Sequence, residues 1–414
     1  MTSLQNIIAA NRSGQTRGIP SWCTAHAETL RAILRFYRDD AAPILIEATC
    51  NQVNQFGGYT GMTPAGFRTF VERLAVECQV DPRRIILGGD HLGPNPWKDL
   101  PARAAMENAR QLVKAYVEAG FTKIHLDASM ACSDDIALSE TEMARRAAEL
   151  CAIAEAVGND DLSYVIGTEV PVPGGETEVL AGLAVTSPAS VRQTWMQHQQ
   201  AFAELGLGGA QSKIIGMVVQ PGVDFGNEQV FDFNPSGAAD LSASLAPLSG
   251  VVFEAHSTDF QPETALAALV AAHFAILKVG PELTFGYREA IFAMAAIEHH
   301  LKPATPSDVI DVISRQMDAH PKDWRAYVAE GKNQQLLKLF GLSDRVRYYW
   351  PNPVINAAVT QLCANIDTAE IPSGLLWQYA GAVPDSKLPL STRIIDAKVQ
   401  NIVGRYRRAC ELQV

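Results

Sequence analysis

Short apolar runs rich in β-branched residues recur along the chain, each closing on glycine or polar residues, at 21–25, 43–49, 84–90, 123–129, 162–170, 213–220, 250–256 and 274–280. Between them apolar positions fall at helical spacing, as in PAGFRTFVERLAVEC, ARAAMENARQLVKAYVEAG, SETEMARRAAELCAIAEAVG, SPASVRQTWMQHQQAFAELG and PETALAALVAAH. Near-continuous apolar strands alternating with amphipathic helices predict a parallel sheet covered on both faces. Eight such units within about 280 residues predict an α/β fold of the (β/α)8 TIM-barrel type rather than an open doubly wound sheet. Beyond them the patterns stay helical without further strands. The expected organisation is a barrel domain over 1–301 and a helical C-terminal extension over 302–414 packed on it, with SDRVRYYWPNP (343–353) as an anchoring loop whose aromatics pack.

Composition narrows the class. Of 414 residues 47% are hydrophobic and 19% charged, as in compact enzyme-sized proteins. A net charge of −11, with clustered arginines only at 405, 407 and 408, argues against nucleic acid and acidic lipid as partners. The seven cysteines are scattered with no Cys-x-x-Cys pair, and the first residues carry no signal-peptide pattern, so a reduced, cytoplasmic protein is expected. No apolar run approaches the ~18 residues of a membrane span.

Polar residues fall selectively where the predicted strands end, the face that carries barrel active sites. The third run ends in Asp90-His91, the fourth carries His125 and Asp127, the fifth ends at Glu169 and the sixth at Gln220. The seventh supplies Glu254 and His256, and the eighth Lys278 just before Gly280. Alternation puts His125 with Asp127, and Glu254 with His256, on shared faces. A single such histidine would read as a packed core group; the joint position at one end of successive strands argues for a site. Four acids and three imidazoles against one lysine leave an excess of acceptors, costly to bury without a cation. A divalent metal, Zn²⁺ or a similar first-row ion, would resolve it. The candidate ligands are His91, His256 and Glu169, with Asp127 or His125 orienting them or replacing one, and Gln220 as a possible addition. Asp90, Asp127 and Glu254 are the candidate catalytic carboxylates.

Glu47 and Lys278, on even-numbered strands, can form a buried ion pair; Lys278 could instead take a substrate phosphate or act as a Schiff-base lysine. Further anion sites are Gly174-Gly175, Ser257-Thr258, Gly280 and Arg288. The loop NQFGGYTGMTP (54–64) has the glycine content of a segment that closes over a ligand. His198, His273, His299, His300 and His320 lie in helical or loop segments and are expected to be structural or solvent-facing.

With these positions laid out, the chain resembles the Z-subunit family of tagatose-bisphosphate aldolases, through IEATCNQVNQFGGYTGMTPAGFR, ILGGDHLGPNPW, AGFTKIHLDASMAC, LSYVIGTEVPVPGGE, FEAHSTDFQ, HFAILKVGPELTFGYREAIFAMA and SDRVRYYWP. More distantly the same blocks are similar to class II, metal-dependent ketose-bisphosphate aldolases. That likeness implies an acid/base at Asp90, a zinc ligand at His91, an acid at Asp127, Glu169 ahead of Gly174-Gly175, and a ligand at His256. Two positions depart from it: Gln220 stands where those aldolases carry a zinc histidine, and Gly280 where they carry an asparagine. The resemblance implies a ketohexose phosphate as substrate and C3–C4 retro-aldol chemistry, in which Asp90 takes the C4 hydroxyl proton. The reading adopted from it is a tagatose 6-phosphate 4-epimerase forming fructose 6-phosphate, as a homo-oligomer or alone. The alternatives are an accessory subunit supporting a separate catalytic aldolase subunit, and a sugar-phosphate binding protein without turnover. A tagatose-6-phosphate kinase role finds no G-x-x-x-x-G-K-[ST] motif to carry it.

Overall fold

The computed structural model describes residues 2–158, 160–167, 183–328 and 330–410. The eight apolar runs become eight parallel strands: β1 (Ile19–Cys23), β2 (Ile44–Thr49), β3 (Ile85–Leu92), β4 (Lys123–Leu126), β5 (Ser163–Gly167), β6 (Ile214–Val218), β7 (Val252–Ala255) and β8 (Phe274–Val279). Each pairs with its neighbours in sequence and β8 returns to β1, closing a (β/α)8 barrel. Ser21 lies opposite Lys278, and Cys23 opposite Glu47.

Closure explains the unbroken apolar runs, because strand residues facing out meet helices and those facing in meet one another. The helix Ala102–Glu118 shows the outer packing, burying Ala105, Met106, Ala109, Leu112, Val113 and Tyr116 at three- and four-residue spacing. A separate apolar cluster joins Leu4, Ile7 and Ile8 of the N-terminal helix (Ser3–Arg12) to Ile19, Leu45, Val165, Val218, Val252 and Ile276 of six strands. That helix begins with a capping box, in which Thr2 Oγ1 accepts from Gln5 N and Gln5 Oε1 accepts from Thr2 N.

After the helix that follows β8 (Pro281–Leu301), the described elements are helical, ending in Leu390–Cys410. This last helix packs against Ala27–Phe36, Glu263–Ala271 and Pro281–Leu301. Its basic residues are used within the chain: Arg405 pairs with Glu282, Arg407 with Asp40 at 2.9 Å, and Arg408 with Glu263 at 2.8 Å. A short antiparallel ribbon, Asp224–Phe225 with Val230–Phe231, follows β6 and was not legible in the sequence. All seven cysteines are free thiols. No described helix is long and apolar enough to cross a membrane.

Candidate active site

Asp90 and His91 are neighbours, and in a regular strand their side chains would point to opposite faces. The register between β3 and β4 slips between Gly89 and Leu92, and His91 has φ +48°. This bulge, with a non-glycine residue in the left-handed region, turns both side chains toward the barrel mouth. The preceding glycines make room: a Cβ on Gly88 would lie 2.6 Å from Glu47 Oε1, and one on Gly93 would lie 1.6 Å from the Asp127 carbonyl oxygen. Thus GGDHLG is a strand end shaped to bring β2, β3 and β4 close. Ser257, next to His256, also adopts a left-handed backbone at φ +51°.

Three imidazoles meet there. Ring centroids lie 4.9 Å apart for His91 and His125, 5.0 Å for His91 and His256, and 5.5 Å for His125 and His256. One donor atom from each of these histidines and one from Asp90 all lie within 4.8 Å of one another. His91 Nδ1 bonds Asp127 Oδ2 at 2.7 Å, which directs Nε2 toward the cluster, 3.6 Å from Asp90 Oδ2. His125 Nε2 faces the Gly167 carbonyl at 3.0 Å, so it carries a proton in that bond. Its Nδ1 accepts from His91 N at 3.3 Å and lies 3.0 Å from Asp90 Oδ1. In a neutral ring that last contact sets two lone pairs against each other. A cation beside the pair relieves it, and the donor set of three imidazoles and a carboxylate fits a first-row divalent metal.

The electrostatics agree. Burial alone would raise the Asp90 carboxyl, but His91, Lys278 and His125 outweigh it and hold it well below the usual range. Burial and then Lys278 push His256 down to about 3, leaving the neutral imidazole that ligates metals. Burial opposes a charge on His91, yet Asp90 and Asp127 raise it above its ordinary value.

Beneath these groups lies a buried charge layer that corrects the sequence argument for a cation. Lys123, the first residue of β4, is fully buried and bridges Glu47 at 2.5 Å and Glu254 at 2.7 Å. Lys278 bonds Asp90 and lies 3.0 Å from Glu47 and 3.7 Å from Glu254. Glu47 and Glu254 are therefore matched by two lysines and need no metal. Glu254, expected among the catalytic carboxylates, also accepts from His256 Nε2 at 3.0 Å and holds that ring in place. Lys123 had a legible signal, since it shares the alternation of His125 and Asp127.

A cavity of about 390 Å³ opens above the layer, within the size range of small-molecule sites. Asp90, His91, Asp127, Ser257, Lys278 and Gly280 line it, while His125 and His256 stand behind His91. The buried Ser257 hydroxyl finds no partner among the described residues. Four expectations are corrected. Arg288 is buried away from the cavity, donating to Asp344 Oδ1 at 2.8 Å and the Gly341 carbonyl at 3.1 Å. Thr258 donates to the Lys278 carbonyl at 2.6 Å and meets Tyr406 Oη at 3.1 Å. Gln220 turns its oxygen to the backbone N–H groups of Gly222 and Val223, at 2.7 and 3.0 Å. The Gly280 N–H is already donated to Asp259 Oδ1 at 3.1 Å. Glu169, Gly174 and Gly175 lie outside the described residues. The loop 54–64 contributes Tyr59, Thr60 and Met62 to the lining, and the loop 343–353, whose aromatics were expected to pack, contributes Arg347, Tyr348 and Trp350.

Asp259 supplies a pH prediction. It also accepts from Glu282 N at 2.7 Å, and burial, followed by the nearby Glu282 carboxyl, pushes it up to about 7 from an ordinary 3.8. A carboxyl raised on folding holds its proton more tightly in the folded state, so its stabilisation is complete below about pH 4 and fades as pH rises through 7. At about 1.36 kcal/mol per unit, the expected loss over that window is about 4 kcal/mol at most. Thermal unfolding from pH 4 to 8 should show this decline, and Asp259→Asn should flatten it; parallel profiles for the two proteins would contradict the assignment.

Comparison with known proteins aligns with this architecture. A family model described as D-tagatose-1,6-bisphosphate aldolase subunit GatZ/KbaZ-like matches residues 4–411. The chain is 47% identical over 420 residues to the D-tagatose-1,6-bisphosphate aldolase subunit GatZ of Klebsiella pneumoniae subsp. pneumoniae, covering 98% of this chain and 99% of the relative. It is equally similar to the subunit of the same name from Salmonella heidelberg, 47% identical with the same coverage. Among solved structures, a probable tagatose 6 phosphate kinase from Sinorhizobium meliloti 1021 is 44% identical and superposes with a TM-score of 0.87, covering 95% of this chain and 100% of that one.

Proposed function

The chain belongs to the GatZ/KbaZ-like family of D-tagatose-1,6-bisphosphate aldolase subunits, and from that premise we propose that it acts on tagatose phosphates as a Z-type subunit working with a separate catalytic aldolase subunit. The observation that carries this reading is 47% identity running through 98% of the chain to proteins of that name. A second reading, a stand-alone tagatose 6-phosphate 4-epimerase, is favoured by one feature of the site. Asp90, Lys278 and three imidazoles converge as a complete acid/base and ligand set beside a substrate-sized cavity, more than a supporting role requires.

His91, His125 and His256 would hold a divalent ion, with Asp127 orienting His91 and Glu254 orienting His256. Bound there, the ion would supply Lewis-acid polarisation of the ketose C2 carbonyl. Asp90, ionised and facing the cavity, takes the proton of the C4 hydroxyl. The C3–C4 bond then breaks, its electron pair passing to C2–C3 as an enediolate while C4 becomes an aldehyde. Lys278 stabilises the carboxylate of Asp90 before the transfer and again once the proton has been returned. Loss of the aldehyde completes an aldolase half-reaction; rotation and re-addition, with Asp90 returning its proton, inverts C4 with no net redox change. No G-x-x-x-x-G-K-[ST] loop is present for kinase chemistry.

The deciding experiment incubates the pure protein with tagatose 6-phosphate and a divalent metal, and separately with tagatose 1,6-bisphosphate and a catalytic aldolase subunit. Stimulation of that subunit without fructose 6-phosphate formation is the outcome for the Z-type role. Fructose 6-phosphate from the protein alone would establish the epimerase, and neither result would end both readings.

A further inference from the structure

One part of the cavity lining comes from the segment beyond the barrel. Lys278 lines the cavity but is already surrounded by Glu47, Asp90 and Glu254. His26, also in the lining, is kept neutral by burial and then by Arg31, which push it down to about 3. Arg347 differs. Its guanidinium donates to the carbonyls of Ser343 and Asp344, the latter at 3.2 Å, and to Tyr348 Oη at 3.0 Å, with no carboxylate in ion-pair range among the described residues.

The reason lies with Arg288, a second candidate cation in the sequence. The Asp344 carboxylate is turned away, taken by Arg288 Nη1 at 2.8 Å and Thr284 Oγ1 at 2.5 Å. Arg288 thereby neutralises the acid nearest in sequence to Arg347. Two bonds from Nη1 and one from Nη2 leave Nε–H and one Nη2–H of the five donors of an arginine. That pair matches two oxygens of a phosphate. Around it stand Tyr348 and Tyr59 of the loop 54–64, whose ring meets Tyr348 edge-on at 5.1 Å. Because Tyr348 Oη accepts from Arg347, its own proton is available to a ligand.

We propose that Arg347, framed by Tyr59 and Tyr348, is the phosphate anchor of the cavity and holds the sugar phosphate with its carbon chain directed to Asp90 and Lys278. This rests on the reading that the ligand is a phosphorylated ketose. It places an affinity determinant in a loop contributed by the C-terminal helical segment, while the strand ends keep the reacting groups.

The test is calorimetric titration of the full-length protein, Arg347→Gln and Arg347→Lys with tagatose 6-phosphate, and with tagatose as the uncharged comparator. Wild type should prefer the phosphorylated sugar. Arg347→Gln should weaken tagatose 6-phosphate by about 10–100-fold, the worth of a charge-assisted bidentate contact, and leave tagatose unaffected. Arg347→Lys should recover part of the loss, which a merely disordered loop would not. Unchanged affinity in Arg347→Gln, equal loss for both sugars, or failure of wild type to bind tagatose 6-phosphate would overturn the assignment. Arginine-dependent binding with no turnover, alone or with an aldolase subunit, would instead end the catalytic readings and leave the anchor standing.

Discussion

Asp90→Asn is expected to lower ketohexose-phosphate turnover by about 10²–10⁴-fold, the usual contribution of a positioned general base. The substitution keeps the shape of the side chain while removing the charge that faces His91, His125 and Lys278. Lys278 retains Glu47 at 3.0 Å, so the buried layer stays matched and the fold should survive. The measurement is conversion of tagatose 6-phosphate by the pure variant, together with its unfolding midpoint and its sugar-phosphate affinity. A fall in rate with affinity and folding preserved assigns Asp90 to the chemistry. An unchanged rate, in a protein that otherwise turns over, would remove Asp90 from it.

Lys123→Met should destabilise the protein by about 3–5 kcal/mol, the cost of stripping a partner from buried charges. Glu47 and Glu254 are both fully buried, and Lys123 is the cation that bridges them. Lys278 cannot match both in its place, since it also carries Asp90 and stands 3.7 Å from Glu254. Methionine fills a similar volume, so the loss reports charge rather than a cavity. Adding Glu47→Gln to Lys123→Met removes one uncompensated charge and should recover part of the stability. Urea unfolding of the three proteins checks the order. A loss under about 1 kcal/mol for Lys123→Met, the scale of an exposed pair, would mean the layer is hydrated or its carboxyls are protonated.

These two residues differ in how plainly the sequence marks them. Asp90 stood out because an acid beside an imidazole where an apolar run ends is chemically conspicuous. Lys123 opens KIHLD and shares a face with His125 and Asp127, so alternation alone could have placed it. A lysine at the start of a strand ordinarily reaches solvent. Here the closed ring of strands gives it no such route, and two carboxylates meet it instead.

The sequence by itself determined the eight strands, their alternation with helices and the end of the barrel that gathers polar groups. Those features are local: an apolar run buried on both faces, or a helix stripe, is written within a dozen neighbouring residues. The tertiary structure decided what the convergence produces. Whether His125 joins His91 and His256, whether Glu254 meets a lysine, and whether Asp344 turns to Arg288 rather than to Arg347 all depend on barrel register, on one bulge at Asp90-His91, and on where a distant loop lands. Side chains from strands more than thirty residues apart are brought within hydrogen-bond range by closure of the sheet, and no periodicity along the chain encodes that distance.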